Sequence, residues 1–159
     1  MKELLELIEE NYALPIEQLA VMLNKPAAEV AAQIKRLEAE KVIVKYQALI
    51  NWEKAGINNV TAMIVIRVTP QREVGFDAIA ERIYRFPEVR SLYLMSGGFD
   101  LLAMVQGQDL KTVAHFVATK LAPIDGVVST TTHFMLKRYK EAGVILEDRE
   151  QDRRLVISP

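Results

Sequence analysis

Val60-Thr61-Ala62-Met63-Ile64-Val65-Ile66-Arg67-Val68 places Val60, Ala62, Ile64, Ile66 and Val68 at every second position. Side chains at that period share one face of an extended chain, so the stretch predicts a strand with one buried face. Thr69-Pro70 ends it. Downstream, Phe76, Ile79, Ala80 and Ile83 recur at helical spacing until the break before Pro87. Residues 89–96 and 101–107 then read as strands joined through Gly97-Gly98-Phe99-Asp100, whose two glycines can take the positive φ values of a tight hairpin. Leu110, Val113, Ala114, Val117 and Leu121 mark a second helix closed by Pro123 and Gly126, and residues 127–136 return to a β-prone pattern. The order β-α-β-β-α-β is that of a ferredoxin-like unit.

Upstream, the periodicity is helical. Leu4, Leu7 and Ile8 share one short helix, and Pro15 opens another with Ile16, Leu19, Ala20 and Leu23 on one face. After Asn24-Lys25-Pro26 a third helix runs over residues 27–40, where Val30, Ile34 and Leu37 lie within about 60° of one another and must face a core. Ala28, Ala32, Lys35, Arg36 and Ala39 take its opposite face, small and basic enough to bring the backbone close to another surface. Three short helices of this kind suggest a helix-turn-helix. Val42-Ile43-Val44-Lys45-Tyr46 and Ala48-Leu49-Ile50 are β-prone about Gln47, which predicts a hairpin wing on the helices. The fold class expected is therefore α+β, a winged helix-turn-helix followed by a ferredoxin-like domain. The expected organisation is a DNA-binding domain over 1–52, a linker over 53–59 rich in turn formers, the ferredoxin-like domain over 60–137, and a C-terminal tail or arm over 138–159. In that tail the apolar Leu155-Val156-Ile157, after a charged stretch, predicts burial against a neighbouring element.

Composition sets bounds on function. Of 159 residues 50% are hydrophobic, enough for packed cores without metal or disulfide support, and no cysteine is present. The longest apolar run, near residues 60–68, falls well short of the roughly 18 residues of a membrane span. The amphipathic, acidic start is unlike a signal peptide. A cytoplasmic protein with no membrane partner is expected. Between Met1 and Trp52, the cations Lys2, Lys25, Lys35, Arg36, Lys41 and Lys45 stand against eight Glu, a net charge of −2, which predicts weak non-specific affinity for DNA. Lys25, Lys35, Arg36 and Lys45 can still form a local basic surface, because placement decides phosphate contact. On the third helix Gln33 could offer its amide to an adenine edge, and Ala28 or Ala32 could meet a thymine methyl. An ordinary solvated helix would carry the same residues. His115 and His133 have no partner at metal-ligand spacing, and neither a phosphate loop nor a nucleophile elbow is present, so no cofactor is expected.

Four stretches in order carry a family resemblance: Leu19-Ala20; Val30 with Ile34-Lys35-Arg36-Leu37-Glu38; Val42-Ile43 with Tyr46; and Ser96-Gly97-Gly98-Phe99-Asp100-Leu101-Leu102. Together they resemble the Lrp/AsnC (feast/famine) regulators, the last being similar to that family's Gly-x-aromatic-Asp-Leu-Leu signature. The resemblance implies a transcription regulator rather than an enzyme. Its dimers would form through C-terminal domains of dimeric α/β-barrel type, assemble further into higher oligomers, and bind an amino-acid effector between dimers. A two-fold symmetric double-stranded operator would match the paired recognition helices. It also points to Gly97, Gly98, Phe99 and Asp100 as effector-binding, with backbone amides meeting a carboxylate and Asp100 an ammonium group. A hairpin chosen for backbone geometry alone remains the alternative. Thr130 and Thr132, on one face of the last strand with Phe134, would lie near the effector crevice, although threonines in a strand also simply suit β structure. The chain departs from the family at Pro26, where a capping Ser is common, and at Gln33, where Arg is usual. Siroheme decarboxylases resemble the same two-domain architecture and form a rival reading, with His115 and His133 as candidates. A ligand-binding module without DNA binding is the other.

Overall fold

The computed structural model describes residues 1–69 and 75–147. Leu155-Val156-Ile157 and Pro70 lie outside the described residues. The chain divides into two compact units, residues 1–50 and 51–159.

In the first unit, α1 (Lys2–Glu10), α2 (Ile16–Leu23) and α3 (Ala27–Ala39) enclose a core of Leu4, Leu19, Ala20, Val30 and Leu37. Val30 and Leu37 are fully buried and Ile34 packs beside them, as the helical period requires. Asn24 closes α2 in the left-handed region, at φ 51°, and Lys25 N returns to Ala20 O at 3.0 Å. Asparagine tolerates that conformation better than most residues, and the reversal it makes sets α3 across α2. Pro26 then stands at the start of α3, its carbonyl accepting from Glu29 N and Val30 N.

The expected wing hairpin is not formed among the described residues. Residues 42–50 carry no strand pairing. Val42 N and Ile43 N both bond Leu37 O, and the Tyr46 hydroxyl donates to Glu38 at 2.9 Å, so the segment is held to the end of α3. Of its apolar residues only Ile43 packs into the core, while Val44 stays 79% exposed. A β-prone run without a second strand has nothing to ladder with.

The second unit holds an antiparallel sheet in the order β2-β3-β1-β4, from β1 (Val60–Val68), β2 (Val89–Leu94), β3 (Leu101–Gly107) and β4 (Val127–Phe134). α4 (Asp77–Tyr84) follows β1, and α5 (Leu110–Phe116) follows β3 and runs on into a π-helical turn, Val117–Leu121. This is the ferredoxin-like order. Ala62, Ile64, Ile66 and Val68 pack with Leu101, Ala103 and Val105 against Ile79, Ile83, Val113, Phe116 and Leu121 of the helices. Asp109 caps α5 by accepting from Thr112 N at 2.7 Å, and that bond holds its carboxyl below the usual carboxylate range. The other sheet face, with Met63, Val65, Leu102, Met104, Tyr93, Thr131 and His133, is not covered by α4 or α5, which pack on the first face. After β4, a small hairpin pairs β5 (Lys140–Glu141) with β6 (Val144–Ile145) through Ala142 and Gly143, both at positive φ.

Candidate functional site

Two surfaces hold the residues singled out from sequence, one in each unit. On α3, Ala28, Ala32, Lys35 and Arg36 are exposed and Gln33 is half-buried, so the small and basic face does point away from the core. Its cations are less available than their positions suggest. Lys25 is engaged by the Glu29 carboxylate, and Arg36 Nε lies 3.7 Å from Glu40. Lys35 and Lys45 make no ion pair among the described residues. The two acids were missed in the sequence, although an i,i+4 spacing to each cation was there to find them.

At the turn after β2, only Gly97 has positive φ, at 140°; Gly98 does not, so one glycine rather than two takes the mirror-image backbone. A Cβ added at either would meet nothing within 4 Å, which leaves the turn open to an incoming molecule. Asp100, expected to meet an ammonium group, is already partly engaged within the chain. Its backbone N donates to Ile66 O at 3.1 Å, its carbonyl accepts from Met95 N at 2.8 Å, and its Oδ2 accepts from Val68 N at 2.9 Å. That last bond falls just past Ile66 and Leu101, the last pair of the β1–β3 ladder, and it satisfies an amide that the end of the ladder leaves without a strand partner. Oδ1 has no hydrogen bond among the described residues.

Thr132 lies across from Ile64 and Thr130 from Ile66, on the helix-covered face, both half-buried at the β4 edge. Ile66 therefore has Leu101 on one side and Thr130 on the other. Two strand spacings, about 10 Å, separate the Asp100 end of β3 from Thr130. The fold thus brings the turn and the threonines to one end of the sheet. At the opposite, β2 edge of the sheet, α4 and β2 border a cleft of about 260 Å³ lined by apolar Phe76, Leu94 and Leu101 and by Asp77, Arg90 and Ser91, and neither the turn nor the threonines line it. His115 and His133 are not brought together, since α5 covers one face of the sheet and His133 alternates onto the other.

Residues 61–145 match the model of the Lrp/AsnC ligand binding domain. The HTH-type transcriptional regulator YugG of Bacillus subtilis is 51% identical over 158 residues, which cover 99% of this chain and 95% of that protein. The HTH-type regulator PH0140 of Pyrococcus horikoshii is 32% identical over 134 residues, 84% of this chain and 82% of that one. Among solved structures, the Neisseria meningitidis transcriptional regulator NMB0573 in complex with L-Met superposes with a TM-score of 0.70 at 25% identity, covering 87% of this chain and 88% of the other.

Proposed function

The chain belongs to the Lrp/AsnC family, and on that premise we propose that it is a DNA-binding transcription regulator answering an amino acid or a related small metabolite. It acts in the cytoplasm as a homo-oligomer and catalyses no reaction of its own. The observation that carries the reading is the convergence at one end of the sheet. An open Gly97-Gly98 turn, the unengaged Oδ1 of Asp100 and the half-buried Thr130 and Thr132 fall there. An amino acid presents a carboxylate and an ammonium group, and these surroundings offer backbone donors and a carboxylate for them. Phe99, half-buried in the turn, would shape the entrance.

The sheet face opposite α4 and α5 supports a homodimer built through the second units, because Val65, Leu102 and Met104 form an apolar strip that these two helices leave unshielded. A two-fold dimer presents two α3 helices, each offering Ala28, Ala32, Gln33, Lys35 and Arg36 with Lys25 and Lys45 at its flanks, to a two-fold operator. Effector binding needs only to favour one assembly. A tenfold preference shifts that equilibrium by about 1.4 kcal/mol, enough to change operator occupancy.

The test is genome-wide mapping of the DNA bound by the protein, with and without a pool of amino acids, repeated on the Gln33→Ala/Arg36→Ala protein. Discrete bound sites that depend on α3 and respond to the pool are expected. Binding to no site, or binding indifferent to the α3 changes, would sink the DNA-reading assignment.

A further inference from the structure

The outward side of α3 holds one polar residue that the DNA-reading assignment above leaves without a part. α2 and α3 are joined by only Asn24-Lys25-Pro26, the short turn of a helix-turn-helix. In such motifs the N-terminal residues of the second helix meet the base edges. α3 begins Ala27-Ala28-Glu29-Val30-Ala31-Ala32. Val30 is fully buried, so Glu29 is the only side chain of this stretch that can hydrogen-bond to a base. It is exposed, and with Ala32 and Arg36 it falls at i, i+3 and i+7, along one side of the small-residue face. Ala28 and Ala32 keep that face shallow, which lets the helix sink far enough into a groove for a side chain as short as Glu to touch a base.

An acid on a surface that faces phosphates weakens binding unless something there answers its charge. Lys25 does so in the chain itself. Its ammonium group is engaged by the Glu29 carboxylate, yet the two side chains stay 40% and 52% exposed. Lys25 N donates to Ala20 O at 3.0 Å, so the cation rides on a fixed turn, where it offsets the acid and limits its rotamers without covering it. The base edge answers the rest. A carboxylate only accepts, and the major groove presents two donors, adenine N6 and cytosine N4. Adenine N6 lies beside the N7 acceptor, whose lone pair repels a second acceptor, whereas cytosine presents its amino group alone.

We propose that Glu29 is a specificity-determining residue that accepts a hydrogen bond from a cytosine N4 amino group in each half-site of the operator, with Lys25 as its positioning residue. The inference rests on the DNA-reading assignment above. An acid in the first turn of α3 also suits the positive end of the helix dipole, but that structural role carries no base preference. The two roles therefore predict different results when Glu29 is changed.

The test is selection from a library of random double-stranded DNA by full-length wild type, Glu29→Ala and Glu29→Gln proteins, with sequencing of the bound duplexes and fluorescence anisotropy on the enriched sequence. Wild type should enrich a two-fold symmetric motif with cytosine at one position of each half-site, and replacing that base pair in one half-site should weaken binding about fivefold to a hundredfold. Glu29→Ala should lose the preference at that position alone. Glu29→Gln should change it to adenine, whose N6 and N7 match an amide. On a duplex without the motif both variants should bind at least as tightly as wild type, because an acid has left the surface, whereas a helix merely weakened at its N-terminus would bind every sequence less well. A motif in which neither variant alters a cytosine, or a loss of affinity spread evenly over all positions, overturns the role of Glu29 and leaves the DNA-reading assignment standing. A wild-type protein that enriches no motif overturns both.

Discussion

Asp100 holds Val68 N across 32 positions of sequence with one carboxylate oxygen and leaves the other available, so its two substitutions should part company. A hydrogen bond to a charged group contributes about 1.5–3 kcal/mol, and the half-buried setting of Asp100 argues for the lower end, about 1–2 kcal/mol. Asp100→Ala removes the bond and leaves the Val68 amide without its acceptor. In a domain of about 100 residues each kcal/mol moves Tm by about 4–8 °C, so the alanine protein should melt about 5–15 °C below wild type without any ligand. Asp100→Asn keeps an oxygen for Val68 N, and because neutral bonds are about half as strong as charge-assisted ones its loss should be less than half as large. Effector binding should fall in both. Losing an ammonium partner worth about 1.5–3 kcal/mol weakens affinity by roughly tenfold to a hundredfold. Melting by differential scanning calorimetry and titration calorimetry with the amino acid that binds, on the same preparations, separate these roles. An alanine variant as stable as wild type would refute the strand tie, and an asparagine variant with wild-type affinity would remove the carboxylate from the site.

Three further outcomes are expected. Replacing both Gln33 and Arg36 by Ala should weaken operator binding by about 1–3 kcal/mol for each good contact, measured by fluorescence anisotropy, with oligomeric mass unchanged. Glu88 accepts from Lys120, and that bond holds its carboxyl below the usual carboxylate range. The pair's contribution is thus present above the unfolded-state value of about 4.3 and is lost as pH falls through the lowered native value, so Glu88→Gln should flatten the acid limb of a Tm-against-pH curve and leave alkaline stability similar in slope. At Gly126 the backbone has φ +91° and an added Cβ would come 2.6 Å from Ile79 Cδ1, so Gly126→Ala should cost about 1–3 kcal/mol in urea unfolding; a neutral result would mean that the core beside α4 yields more readily than its packing implies.

The strands and helices of both units were legible because their cue is local. Alternation in residues 60–68 and the Val30, Ile34, Leu37 spacing are properties of neighbouring positions, and the faces they predict are the faces that are buried. Residues 42–50 mark the limit of that cue. Their β propensity is plain, but a strand exists only with a partner edge, and none of the described residues supplies one: Val42 and Ile43 bond Leu37 O instead.

The candidate sites divide in the same way. The sequence by itself determined which residues could serve: the small and basic outward side of α3, the glycine turn, Asp100, and the threonines sharing a strand face. Only the tertiary structure decided their circumstances. It spent one oxygen of Asp100 on Val68, set Thr130 across Ile66 from the turn, engaged Lys25 and Arg36 with acids, and turned the apolar hairpin outward. The reason is physical. Periodicity is written along the chain, whereas hydrogen-bond partners depend on register and on where a ladder stops, and the end of the β1–β3 pairing at Ile66 and Leu101 leaves the Val68 amide for Asp100 to satisfy.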